Sequence, residues 1–436
     1  MQHLARYTVY NILGQAVPLV AGLAAIPIIT HSLGETRFGL LALMWAIIGY
    51  FSLLDLGLGR ATTKFVAEAL AAKDTRRAQQ VAGFTAAGQV ALAVVGGAVL
   101  AAITPWLVTG LLGVPAELRI EAEHAFRWLA LSVPFVVLSL NLRAALEGAQ
   151  RFDLANLIRA PTGVLAFVIP AVAARLGVGL AGIVALLLVL RVVTGGATWI
   201  AIRHALPGFR WELRPARELV RPLLGYGGWV AVSNAVSPIL TYLERFVLGA
   251  VAGVGAVAYF AAPYEAISRL LLVPASLASG LFPVVSVPLT PERRAEAERL
   301  LARSVRSLWV LLGGPVILVV LFSGPLLALW LGPVYAARGA TGLAILAVGM
   351  LIIGLAHVPG IFLYGQGRPD LPAIFSLIEL PIYVVLAWWC VRAYGITGAA
   401  LAWTLRVTLD AVLLFAAARR VGRFRLSSLL GIIATR

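Results

Sequence analysis

Twelve stretches of this chain run for about twenty residues with few charges among them, the length a helix needs to cross the hydrocarbon core of a bilayer. They lie near 8–31, 38–58, 81–104, 125–146, 155–174, 180–202, 222–250, 255–285, 305–330, 340–363, 373–391 and 396–418. No soluble fold accommodates them. Of 436 residues, 61% are hydrophobic and 12% charged, about half the charged share of a soluble domain. Too little polar surface is left to cover a core of that size. In lipid every backbone donor and acceptor must be paired within the protein, and a helix does this inside one segment. The expected fold class is an all-α integral membrane protein of twelve transmembrane helices. Met1 to Arg6 lead into the first apolar stretch without a small-residue cleavage site, so that stretch reads as a membrane helix rather than a removable signal. One cysteine, Cys390, excludes a disulfide framework.

A net charge of +16 raises nucleic acid as a partner, but the placement of the basic residues assigns them to topology. Counting connections alternately from the N-terminus, 25 Lys and Arg fall on its side and five on the other: Arg37, Arg119, Arg175, Arg338 and Arg392. Basic residues are retained on the cytoplasmic side, so both termini are expected there. The tail 419–436 opens with Arg419, Arg420, Arg423 and Arg425, suited to anionic lipids of the inner leaflet. Leu426, Leu429, Leu430 and Ile433 are spaced as the stripe of a short interfacial helix.

The chain resembles itself. Gly148-Ala149-Gln150-Arg151-Phe152-Asp153-Leu154 returns 217 residues later as Gly365-Gln366-Gly367-Arg368-Pro369-Asp370-Leu371. Leu190-Arg191-Val192 returns as Leu405-Arg406-Val407, the segment Leu33–Leu40 aligns with Ala252–Tyr259, and Gln15 aligns with Asn234. A six-span repeat keeps its orientation, so two parallel bundles, 1–210 and 211–418, are expected to enclose a central cavity.

Ionisable groups inside membrane spans are costly and face an interior or a water-filled cavity. They are Asp55, Arg127, Arg191, Glu244, Arg245, Glu265, Arg269, Glu379, Arg406 and Asp410. Glu265 and Arg269 can pair across one helical turn, as can Arg406 and Asp410, the latter read as a structural pair. Entering the eighth span near residue 255, Glu265 lies roughly 15 Å deep, near the midplane where transporter sites sit. Glu244 and Arg245 point about 100° apart, so at most one faces the cavity centre. For an anionic substrate the bidentate fork of arginine is the better donor, which ranks Arg269 first and Arg245 second. Asn11, Gln15 and Gly22 form one polar-to-small stripe that either lines the cavity with Asn234 or packs helices. Asp55 is a helix-end partner for Arg60 or part of a gate. No phosphate-binding loop is present and the five histidines lack ligand spacing, so no cofactor or metal is expected. A coupling ion, H+ or Na+, would need Glu265 or Glu244.

The second span ends Leu53-Leu54-Asp55-Leu56-Gly57-Leu58-Gly59, the seventh carries Tyr242-Leu243-Glu244-Arg245-Phe246-Val247-Leu248-Gly249, and the eighth begins Val254-Gly255-Ala256-Val257-Ala258-Tyr259. These segments resemble the polysaccharide-transporter branch of the multidrug/oligosaccharidyl-lipid/polysaccharide exporter superfamily, which includes Wzx-type flippases for O-antigen and capsule units. The resemblance implies a flippase moving undecaprenyl-diphosphate-linked oligosaccharide across a bacterial inner membrane by alternating access. It implies as partners the lipid-linked oligosaccharide, a polysaccharide polymerase and glycosyltransferases. The family's usual Asp in the seventh span is replaced by Glu244. Two alternatives stand beside it. An ion-coupled drug exporter of the same superfamily would place a carboxylate in the first span, and 8–31 has none. A membrane glycosyltransferase or polymerase would need large external loops, which the spacing of the spans does not leave.

Overall fold

A computed structural model describes residues 2–51, 58–211, 236, 238–287 and 291–424. Among the described residues there is no strand. The helices are α1 (Gln2–Phe51), α2 (Leu58–Ala71), α3 (Thr75–Trp106), α4 (Arg119–Gly148), α5 (Phe152–Arg175), α6 (Leu180–Ala205), α7 (238–252), α8 (Val254–Ile267), α9 (Leu272–Val285), α10 (Pro291–Leu331), α11 (Pro333–Gly365) and α12 (Asp370–Gly422). A π turn, Leu107–Leu111, follows α3, and a 3-10 turn, Ser268–Leu271, joins α8 to α9. Eight helical segments among the described residues are long and apolar enough to cross a membrane. Their outer faces are apolar too: Leu329 is 90% exposed and Val385 70%. In water that arrangement would be costly; against lipid it costs nothing. The protein is a multi-pass membrane protein.

The expected spans and the helices do not correspond one to one. The stretches 8–31 and 38–58 share α1, which departs from helical angles at Gly34 (φ 75, ψ 170). Likewise 373–391 and 396–418 share α12, interrupted at Gly395 (φ 55, ψ −125). Both are positive-φ conformations that glycine reaches without a Cβ clash. Conversely, 255–285 is divided between α8 and α9. Most of 222–250, and the tail beyond Phe424, lie outside the described residues.

The break points recur at the spacing of the sequence matches. Positive φ occurs at Gly34 and Gly253, Gly113 and Gly332, Gln150 and Gly367, and Gly177 and Gly395, each pair 217–219 residues apart. The motif after α4 and after α11 folds the same way twice. Arg151 N–H donates to Leu146 O at 2.8 Å, and Arg368 N–H to Leu363 O at 2.9 Å, closing the helix with a left-handed residue before it. The arginine then pairs with the next helix's first acid, Arg151 with Asp153 and Arg368 with Asp370, both at 2.9 Å.

Two compact units divide the chain, Met1–Pro238 and Ile239–Arg436. In the first, small residues let helices approach: Ala61, Ala78, Ala82 and Ala145 pack with Leu142, Leu146 and Ile202, and Gly97 lies against the Ala130 carbonyl. Small side chains drive packing in membranes, where burial itself earns no hydrophobic gain. Glu121 ties three helices of this unit together. Its carboxylate takes Arg37 Nε of α1 at 2.9 Å and the backbone N–H of Leu180 at the start of α6 at 2.5 Å. In the second unit Leu301, Leu308, Leu312, Phe362, Leu414 and Phe415 form the core.

Candidate functional site

Seven of the ten ionisable residues singled out in the apolar stretches lie in the second unit, and the fold brings them into two adjoining groups. α7 supplies Glu244 and Arg245 as chain neighbours, and helical geometry sends them to different partners. Arg245 turns to α8, where Nη2 donates to Glu265 Oε1 at 3.1 Å. The other carboxylate oxygen of Glu265 accepts from Arg269 Nη2 at 3.5 Å, so one acid bridges two guanidinium groups. Arg245 has no exposed surface. Its guanidinium lies 4.9 Å from the ring centre of Tyr264 and 5.1 Å from that of Tyr242, an aromatic lining that favours a desolvated cation. Two of its nitrogens, Nε and Nη1, lack hydrogen-bond partners. The Arg269 side chain retains 34% exposure.

Glu244 is also fully buried and accepts from Tyr383 Oη of α12 at 2.7 Å. Arg406 sits over the Tyr383 ring, 5.8 Å from its centre, and its ion partner is Glu379 at 3.8 Å. Arg406 is expected to pair with Asp410 along one turn; Asp410, like His357, is an electrostatic neighbour of the group, and the Arg406–Glu379 ion pair adds a partner from across the helix break. In a straight helix residues 379 and 406 would be roughly 40 Å apart. Their contact shows that the chain folds back at Gly395.

The expected Glu265–Arg269 pair is present. Arg127 is a surface residue instead, paired with Glu123 at 3.0 Å and half exposed. Arg191 donates to Ser132 of α4. Asn11 and Gln15 lie in α1 and Arg60 in α2; Gly22 of the same stripe meets the Phe167 ring of α5, where an added Cβ would stand 3.3 Å away, as helix packing predicts. Asp55 and Asn234 lie outside the described residues. No cluster of three His, Cys, Asp or Glu able to hold a metal occurs among the described residues. The sequence reading missed the tyrosines; Tyr383, four residues after Glu379, was the detectable signal. Taken together, Glu244, Glu265, Glu379 and Asp410 face Arg245, Arg269 and Arg406, one carboxylate more than the guanidinium groups can neutralise.

Residues 4–287 match the family described as polysaccharide biosynthesis protein. The chain belongs to that family. Across 413 residues it is 27% identical to a Shigella flexneri protein named "Putative O-antigen transporter", covering 94% of this chain and 96% of the relative. Its fold is that of solved transporters. An inward-facing multidrug resistance transporter of the MATE family and MOP superfamily matches with a TM-score of 0.75 at 18% identity, over 97% of this chain and 99% of that one. An outward-facing one matches at 0.65 and 19%, over 98% and 95%. A MOP superfamily transporter from Pyrococcus furiosus matches at 0.60 and 17%, again over 98% and 95%. These relatives of the polysaccharide biosynthesis protein family member are transporters, not enzymes.

Proposed function

We propose that the protein flips an undecaprenyl-diphosphate-linked oligosaccharide, the repeat unit of a surface polysaccharide, across the bacterial inner membrane by alternating access. The observation that carries this is the match to an O-antigen transporter relative along 94% of the chain, within a family concerned with polysaccharide biosynthesis. The transport fold and the intramembrane arginines agree with it, because a diphosphate needs cationic hosts in a layer where charge is costly. The drug-exporter alternative has the fold in its favour, but the first apolar stretch, 8–31, carries no carboxylate to bind a cationic drug or its coupling ion. Under this proposal Arg269, the partly exposed arginine of its cluster, meets substrate, and Arg245 holds Glu265 in place. Glu265 and Glu244 are the carboxylates available to a coupling ion. No cofactor is needed. Glycosyltransferases act before it and a polymerase after it.

The test is genetic complementation. In a strain lacking its O-antigen transporter, expression of this chain is expected to restore surface polysaccharide without conferring drug resistance. Resistance without polysaccharide would transfer the protein to the drug exporters.

We further propose twelve crossings in two parallel six-helix halves with both termini cytoplasmic. The recurrence of break points at 217–219 residues and the bias of basic residues support this. Reporter fusions after Gly148 and after Gly367 should both read cytoplasm; an external signal from either would refute the topology.

A further inference from the structure

A half-open pocket of about 290 Å³ lies in the first unit, lined chiefly by α4, α5 and α6. That is the space of about ten waters. Three of its lining residues are arginines, one from each helix: Arg143, Arg159 and Arg191. Ser139, Thr162 and Thr194 also line it, each donating its hydroxyl to a carbonyl of its own helix, Phe135 O, Ile158 O and Leu190 O. Arginines from three different helices converging on one cavity in an apolar bundle require a reason, because like charges repel and each is costly in lipid.

Their partners do not balance them. Arg143 places its Nε 3.1 Å from Glu147 Oε1, an ion pair along one turn that lacks hydrogen-bond alignment. Arg159 faces both Arg143 and Glu147 and forms no ion pair among the described residues. Among the described residues Arg191 reaches only a neutral hydroxyl, that of Ser132. Three guanidinium groups and one carboxylate leave two positive charges, which is the charge a doubly esterified diphosphate would neutralise. The cluster in the second unit has the opposite balance, with its arginines held by carboxylates.

The cavity also has length. Thr162 and Thr194 are hydrogen-bonded at 3.1 Å, which fixes α5 against α6 at that level. A four-residue connection joins these helices, 176–179, so they run antiparallel. Arg159 is nearly one turn to one side of the threonine pair and Arg191 nearly one turn to the other, roughly 10 Å apart along the bundle. Arg143 lies at the Arg159 end, one turn from Ser139, which itself adjoins Gly195. Two arginines at one end and a third deeper offer an anion cationic partners at both ends of the pocket.

We infer that this first-unit cavity is a diphosphate-binding site, in which Arg143 and Arg159 receive the anion and Arg191 holds it deeper in the bundle. The identity of the diphosphate as that of the lipid carrier rests on the proposed flippase function; the anion site itself does not.

The experiment uses the purified full-length protein in phosphatidylcholine nanodiscs, titrated with inorganic pyrophosphate by calorimetry. Competition is measured with undecaprenyl diphosphate or phosphatidylglycerol incorporated in the discs. Wild type is expected to bind one pyrophosphate, displaced by undecaprenyl diphosphate and not by phosphatidylglycerol. Replacing both Arg143→Gln and Arg159→Gln should weaken pyrophosphate binding on the order of 100-fold, as loss of two charge-assisted contacts implies. The two Lys variants should recover part of it, because charge remains while the fork is lost. Arg392→Gln, which removes an equal charge elsewhere, should bind like wild type. Melting temperatures identify any variant that merely fails to fold, and the Lys pair then decides. Unchanged binding in the folded double variant overturns the site. Equal displacement by phosphatidylglycerol overturns its selectivity for diphosphate. If complementation succeeds with both wild type and the double variant, the flippase function stands and this site fails. If wild type cannot complement, yet loses pyrophosphate on substitution, the anion site stands and the lipid carrier does not.

Discussion

Arg245→Ala is expected to remove most of the stable, monodisperse protein obtainable from the membrane. Arg245 has no exposure, and it supplies the closer of the two arginine contacts to Glu265, 3.1 Å against 3.5 Å for Arg269. Deleting it strips Glu265 of its closer cation and leaves only the longer contact with Arg269; losing one partner of a buried ion pair costs up to about 3–5 kcal/mol. The substitution also empties the space between the Tyr242 and Tyr264 rings. Arg245→Lys should be intermediate, keeping the charge while losing the planar contact with both rings. The informative comparison is the double replacement Arg245→Met with Glu265→Met. Removing both charges from apolar surroundings is often close to neutral, so the pair should regain abundance that the single variant loses. Fluorescence-detected size-exclusion profiles and melting temperatures in detergent measure this. A single alanine variant as abundant and as heat-stable as wild type would show that the Arg245–Glu265 contact does not hold the unit together.

The second large effect is expected at Gly398. Helix propensity alone predicts that Ala in place of Gly inside a helix stabilises it by about 1 kcal/mol. Here the sign reverses. An added Cβ would run into the carbonyl of Cys390 and stand 3.0 Å from the Val391 nitrogen, both backbone atoms that cannot rotate away. These two sites lie on opposite sides of the Gly395 break, so relief would come only by opening the turn that folds α12 back on itself. Overpacking of this kind costs about 1–3 kcal/mol or more, which outweighs the propensity gain. Opening the turn would also draw Arg406 from Glu379. Gly398→Ala should therefore lower the melting temperature and the yield of folded protein. Gly313→Ala in α10, where a new Cβ has nothing within 4 Å, should be neutral or slightly stabilising. Equal behaviour of the two would remove the close approach at residues 390–398 as a determinant of the fold.

Much of the architecture was legible before any coordinates, and the reason is that it depends on local physics. Membrane helices satisfy their own backbone, so length and apolarity suffice to recognise them. The pair Glu265–Arg269 is one turn of one helix, and its spacing is a property of the helix alone. The duplicated Gly-x-x-Arg-x-Asp turn also announced itself, because its left-handed residue and its Arg–Asp clasp are formed within a few residues. The family resemblance rested on the same short segments.

What only the tertiary structure decided are the contacts between helices. Arg406 could pair with Asp410 on its own turn, and the choice of Glu379 depends on how α12 doubles back at Gly395. Tyr383 reaches Glu244 across 139 residues, a contact set by rotation and register that no periodicity encodes. Arg191 stood out in the sequence as an ionisable group inside a span, but Arg143 and Arg159 were counted with the connections between spans. All three share a cavity because three helices happen to turn the same side inward. Local hydrogen bonding specifies each helix; the packing of small residues between them sets rotation and depth, and with these which charges meet.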